Sequence, residues 1–206
     1  MKEFYILRHG LTTANVEHRL QGQTDTHLIE EGRKQAETAR KFLMERQIHP
    51  DLVVVSPLIR TTETAEIATG LPRESFLVDP RIIEMGFGEF EMKQDKELSQ
   101  EFLEEFHSRT DTYVPPKGGE TFYGVLARIG SFTEMMRQRK DDGSTVLVVS
   151  HGAAIHAFLH YLNRDPITDF WKIHVGNCAV IKVTLGDRYE DCADHWEFLF
   201  DGYRTW

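Results

Sequence analysis

Arg8-His9-Gly10 follows directly on the apolar run 4–7, FYIL, and Ser150-His151-Gly152 follows in the same way on 146–149, VLVV. Arg60 stands shortly after a third such run, 52–55, LVVV. Two arginines, a nearby Asn15 and the free N–H groups of helix starts suit a tetrahedral oxyanion, because guanidinium forks match phosphate geometry. Gly10 and Gly152 allow close approach of the backbone to such a ligand. A histidine among fixed cations has its imidazole pKa pulled down, so at neutral pH it is an uncharged nucleophile. Attack on phosphorus by that imidazole gives a phosphohistidine and divides one difficult hydrolysis into two easier steps. The leaving alkoxide then needs a proton donor. Glu84, in RIIEMGFGEFE, is the candidate, ahead of its neighbours Glu89 and Glu91.

The apolar runs read as buried strands, and what separates them reads as helix. A helix is expected over 30–47, with Ala36, Ala39, Leu43 and Gln47 at helical spacing. Ser56-Pro57 supplies an N-cap and a favoured first residue for a helix running to about residue 69. Turn residues and a short strand are expected over 71–80. The stretch 87–113 is acidic, rich in phenylalanine (Phe87, Phe90, Phe102, Phe106) and expected to be mostly helical; Pro115 to Gly119 ends it as a loop. A long helix over 121–139 leads to a strand at 145–149 and another helix from Gly152, and strands at 178–185 and 196–200 close the chain. The expected fold is a single α/β domain over residues 1–206: a three-layer α/β/α sandwich around a mostly parallel sheet, with 87–117 as a helical cap. In such sheets ligands bind beyond the carboxyl ends of the strands, where both histidines and both arginines fall.

The segments around these residues resemble the histidine phosphatase superfamily, in its phosphoglycerate-mutase-like branch. Arg8-His9-Gly10 resembles the family's signature after the first strand. QGQTDTHLIEEGRKQA, SPLIRTTETA, EMGFGEFE, PPKGGETF and SHGAAIHAFL resemble further family segments in the same order, and Asn177 falls where the last core strand carries an asparagine. The resemblance implies that His9 is the nucleophile that becomes phosphorylated. It implies that Arg8, Arg60 and His151 hold the phosphoryl oxygens, assisted by Asn15, Gln21, Gly22 and the Gly152 amide. Glu84 would protonate the leaving oxygen and then deprotonate the attacking water. No metal or other cofactor is implied, because fixed cations take the role of magnesium in other phosphoryl-transfer sites. His27 replaces a usual proline, Glu30 a usual threonine and Met92 a usual glycine; these departures are expected to alter loops, not chemistry.

The resemblance admits a phosphoglycerate mutase as well as a phosphatase. Mutases of the family carry a pair of adjacent arginines in a longer insertion, whereas residues 84–115 offer only Lys93, Lys96 and Arg109. A non-catalytic phospho-ligand module on the same fold is the alternative from another class, although all the chemically essential residues are present. His156 and His160, at helical spacing, raise a metal reading, but the acid and open cavity that such a zinc site requires are not evident. The net charge of −9 argues against a nucleic-acid or anionic-membrane partner. The expected partner is a small phosphorylated metabolite, and the protein is expected to be a monomer or homodimer. Cys178 and Cys192 fit neither a zinc spacing nor a disulfide framework, and the first residues are too brief for a signal-peptide core, so the chain is expected to be cytoplasmic. The cap is expected to meet the leaving group through Phe102 and Phe106, with its carboxylates disfavouring a second phosphate.

Overall fold

The computed structural model describes residues 2–140 and 142–204. In chain order its elements are β1 (Lys2–Arg8), α1 (Thr13–Val16), α2 (Glu30–Glu45), β2 (Leu52–Val55), α3 (Ile59–Thr69), β3 (Leu77–Val78), α4 (Gln100–His107), α5 (Phe122–Gln138), β4 (Val146–Ser150), α6 (Gly152–Asn163), β5 (Val180–Leu185) and β6 (His195–Phe200). The strands form one sheet in the order β3-β2-β4-β1-β5-β6. Strands β3, β2, β4 and β1 run parallel, while β5 is antiparallel to both β1 and β6. The sandwich expected from the sequence is therefore present, with its antiparallel pairings on the side of the chain's last strands.

The apolar runs are continuous because both faces of the sheet are covered. Phe4 and Ile6 of β1, with Val146 and Val148 of β4, face a core shared with Ile129, Phe132, Ala154 and Phe158 of α5 and α6. Leu7, Val53, Val55, Leu147 and Val149 face the opposite core, shared with Ala36, Ala39 and Leu43 of α2 and Ala65 and Ala68 of α3. Each fully buried valine, leucine or phenylalanine side chain contributes about 1.5–3 kcal/mol. The chain after β1 leads to helices on one face, and the chain after β4 leads directly into α6 on the other. Adjacent parallel strands whose helices leave to opposite faces open a crevice at their carboxyl ends.

Two local expectations change. Helix α3 begins at Ile59, not at Pro57, and Leu58 at its N-cap makes no side-chain capping bond. Asp25 from a distant loop caps it instead, accepting from the Ile59 N–H at 2.8 Å. The cap segment carries one α-helix, α4, preceded by single 3₁₀ turns at Gly88–Phe90 and Asp95–Glu97. Its backbone takes left-handed conformations at Gly88 and Met92, which interrupt longer helices. Phe102 and Phe106 of α4 stack at 5.8 Å, and Phe106 packs edge-on against Phe87 and close to Trp171. Among the described residues, no helix is long and apolar enough to cross a membrane.

Candidate active site

Strand register brings the site together. Arg8 pairs with Ser150 across β1 and β4, so His9 and His151, the next residues, emerge side by side with ring centroids 5.3 Å apart. The His9 N–H donates to the Ser150 carbonyl at 3.0 Å, and Asn177 Nδ2 donates to the His9 carbonyl at 3.0 Å. Asn177 thus holds the backbone of the candidate nucleophile from the β5 side. Gly10 is required by a neighbour and not by a ligand: a Cβ there would lie 2.5 Å from the Gly32 carbonyl oxygen of α2.

His9 Nδ1 lies 2.7 Å from the Gly10 carbonyl oxygen. A carbonyl only accepts, so Nδ1 carries the proton and Nε2 carries the free lone pair. Burial, then Arg60 and Arg8, hold the ring well below the usual imidazole range. The ring is thereby held uncharged at neutral pH, the state that a nucleophilic role would require.

A cavity of about 500 Å³ opens over His9. Arg8, His9, Asn15, Gln21, Gly22, Glu84 and Gly152 all line it. Arg8 donates to the Val175 carbonyl at 2.5 Å and lies beside Glu84, whose charge partly offsets the burial that lowers the arginine's pKa. Asn15 Oδ1 accepts from the Thr12 N–H and hydroxyl, which leaves its Nδ2 donor for a ligand. Gln21 Oε1 accepts from the Thr26 hydroxyl and lies 3.0 Å from the Thr12 hydroxyl, whose one proton serves either this oxygen or Asn15 Oδ1. Gly22 has φ +54, and a Cβ there would meet the Glu91 carboxylate at 2.5 Å. Both carboxylate oxygens of Glu84 accept from the first turn of α6, from Ala153 at 3.2 Å and Ala154 at 3.1 Å, and one also accepts from the Met85 N–H. This fixes the position of the candidate acid through the free N–H groups of the helix start.

Arg60 and His151 lie behind the His9 ring and off the cavity wall. Both are fully buried. Arg60 donates to the Gly22 carbonyl at 2.7 Å, the Thr24 carbonyl at 3.0 Å and His151 Nδ1 at 3.1 Å. Burial pushes its pKa down to about 10, so it remains a cation at neutral pH.

Several supporting residues were not singled out from the sequence. Arg128 donates to the carbonyls of Arg81, Ile83 and Glu84 and pairs with Glu120 at 2.9 Å, which fixes the loop carrying Glu84. Glu91 accepts from the N–H groups of Gln23 and Phe87 and from the Thr24 hydroxyl, tying the Gly22 loop to the same segment. Glu91 is therefore a loop tie, consistent with the choice of Glu84 as the acid. Trp171, His174 and Val175 form a wall from a segment with no motif. From the cap, Phe87, Asp95, Phe106 and His107 reach the cavity; Phe102 lies outside it, beneath Phe106. Of the cap's carboxylates only Asp95 lines the cavity, which weakens the expectation that they would repel a second phosphate.

The His156 ring lies at 4.8 Å from Trp171 and lines the cavity, with its pKa pushed down to about 3 by burial first and by Arg8 second. Among the described residues, no group of three His, Cys, Asp or Glu side chains is arranged to hold a metal ion. Cys178 is buried behind the site with its thiol pushed up to about 12, so it is no thiolate nucleophile at neutral pH. His27 pairs with Glu63 at 2.8 Å on the margin of the fold, and Met92 adopts φ 65, so two of the departures do fall in loops.

The buried histidines carry an expectation for acid stability. His9, His151 and His156 all have folded pKa values below the ordinary 6.5. Between those values and 6.5 the unfolded chain holds more protons, so their contribution is complete above pH 6.5 and is lost as pH falls below it. Each costs about 1.4 kcal/mol per pH unit, or about 4 kcal/mol per unit for the three. Tm should drop steeply from pH 6.5 to 5, and His156→Gln should reduce that slope by roughly a third. A Tm independent of pH over this range would contradict the burial of neutral rings.

Residues 4–196 match the family described as Histidine phosphatase superfamily (branch 1). The chain is 31% identical over 191 residues to "Phosphoserine phosphatase 1" of Hydrogenobacter thermophilus, covering 91% of this chain and 89% of that one. It is 30% identical over 192 residues to "Probable phosphoglycerate mutase GpmB" of Erwinia tasmaniensis, covering 89% and 85%. Among solved structures, a mycobacterial glucosyl-3-phosphoglycerate phosphatase in complex with VO3 superposes with a TM-score of 0.78 at 28% identity, covering 99% of this chain and all of that one. On sequence, fold and relatives together, this chain belongs to the histidine phosphatase superfamily.

Proposed function

We propose that the protein hydrolyses phosphate monoesters of small molecules through a phosphohistidine on His9. The observation that carries this reading is the neutral His9 ring, its Nδ1–H committed to the Gly10 carbonyl and its Nε2 lone pair free beside the cavity. Nε2 attacks phosphorus as the P–O ester bond breaks, and Glu84 gives a proton to the leaving oxygen. Water then attacks the phosphoryl group, Glu84 takes its proton, the P–N bond breaks and inorganic phosphate leaves. Arg8, Asn15, Gln21, Gly22 and the Gly152 amide surround the phosphoryl group. Arg60 stabilises its charge from behind His9, and His151 supports Arg60. The aromatic wall of Phe87, Phe106 and Trp171 faces the remainder of the ester, which favours a leaving group with apolar surface.

Mutase activity is the second reading, favoured by the similarity to the GpmB protein. Against it, Lys93 lies over the Phe90 ring at 4.4 Å and Arg109 pairs with Glu104 at 3.8 Å; neither lines the cavity. Steady-state hydrolysis of a panel of esters in the presence of EDTA tests the proposal. The panel holds p-nitrophenyl phosphate, sugar phosphates, nucleotides, phosphoserine and 3-phosphoglycerate, the last also with 2,3-bisphosphoglycerate. Phosphate release from several monoesters is expected. Interconversion of phosphoglycerates without phosphate release would support the mutase, and no turnover of any ester would leave a binding module.

A further inference from the structure

Ser56, His151 and Arg60 form a chain of fully buried polar side chains behind the candidate nucleophile. Its direction can be read from donor chemistry. The Arg60 Nε–H donates to His151 Nδ1 at 3.1 Å. A guanidinium has no acceptor, so Nδ1 must present its lone pair, and a neutral ring then carries its proton on Nε2. That nitrogen lies 2.6 Å from Ser56 Oγ, which accepts it. With the proton on Nδ1 instead, two N–H groups would face each other and Arg60 would lose this bond.

We propose that Ser56 is a positioning residue for phosphoryl transfer: its hydroxyl accepts the Nε2–H that the Arg60 bond leaves on His151 and so holds the ring's orientation, and His151 in turn holds the Arg60 guanidinium beside His9. The inference rests on the phosphohistidine reading. Strand register explains why Ser56 can do this. Val55 pairs with Val149, and the Ser56 N–H donates to the Val149 carbonyl at 3.1 Å, so Ser56 sits next to the end of β4. Helix capping does not account for the residue. Asp25 caps α3, and the Leu58 N–H reaches Ser56 Oγ only at 3.4 Å. The other Arg60 bonds go to the Gly22 and Thr24 carbonyls. The His151 contact anchors the guanidinium from the strand side, so a turned imidazole would release one of its three anchors.

Nitrogen-15 NMR of histidine-labelled protein, with His151 assigned by its loss in His151→Asn, tests the inference. In the parent, His151 Nδ1 should give a pyridine-like signal and Nε2 a pyrrole-like one. Ser56→Ala should shift the Nε2 signal, because its N–H loses its acceptor, and lower kcat about ten- to a hundredfold, with KM changed less than about twofold. Ser56→Thr, which keeps the hydroxyl, should restore both. A parent ring protonated on Nδ1 would overturn the inference. So would a Ser56→Ala protein with an unshifted Nε2 signal, or one with a shifted signal and parental kcat. If Ser56→Ala does not fold, the parent spectrum and the Ser56→Thr variant still decide. Failure of the phosphohistidine reading itself would appear separately, as turnover retained in His9→Ala.

Discussion

Replacing His9 with alanine is expected to lower kcat for every phosphate ester by at least about 10⁴-fold, because the substitution removes the only atom placed to attack phosphorus within this account. The fold should survive. His9 is held through its backbone by Ser150 and Asn177, and those bonds do not involve the ring. The ring is also a buried neutral group whose protonation costs stability below pH 6.5, so its removal should flatten the acid limb of Tm by roughly a third, as for His156→Gln. Phosphate affinity should fall much less than rate, since Arg8, Asn15 and Gln21 remain around the cavity. Equilibrium binding of inorganic phosphate alongside kcat separates these effects. A His9→Ala protein that turns over p-nitrophenyl phosphate within tenfold of the parent would remove His9 from the chemistry.

Glu84→Gln should show a leaving-group signature. General acid catalysis contributes about 10²–10⁴-fold when the departing oxygen is a poor leaving group. Alkyl esters such as sugar phosphates should therefore lose activity on that scale. A p-nitrophenolate departs without protonation, so its release should fall far less, and dephosphorylation of the enzyme should become the slower step. A burst of p-nitrophenol followed by slow turnover would report this. The neutral amide still accepts from the α6 N–H groups through its carbonyl oxygen, so the helix start keeps a partner for Ala153 or Ala154. Equal losses for alkyl and aryl esters with no burst of p-nitrophenol would argue that Glu84 acts only as a structural cap for α6.

The architecture was legible because the strands carry unbroken apolar runs with helical spacing between them, and a sheet covered on both faces demands that pattern. The site was legible for a related reason: Arg8-His9 and Ser150-His151 interrupt those runs at the crevice, and motif order identified Arg60 and Glu84. What escaped lies in tertiary contacts without local pattern. Asp25 caps α3 across a gap of more than thirty residues, which no reading of Ser56-Pro57 could anticipate. Arg128 reads as one charge on an amphipathic helix until its bonds to three carbonyls of the Glu84 segment are seen. Gly10 reads as ligand clearance, yet its missing Cβ makes room for Gly32. Phe102 and Phe106 look equivalent in sequence, and only the packing of α4 sends one to the cavity and the other beneath it.

Rapid acid-free quenching of a single turnover, followed by peptide mass spectrometry, tests the central claim most directly. The account predicts a transient, alkali-stable and acid-labile phosphoryl group on His9, formed before inorganic phosphate appears and absent in His9→Ala. A phosphoryl group trapped on any other residue would contradict it. So would phosphate released at the parental rate with no enzyme-bound phosphoryl group detected.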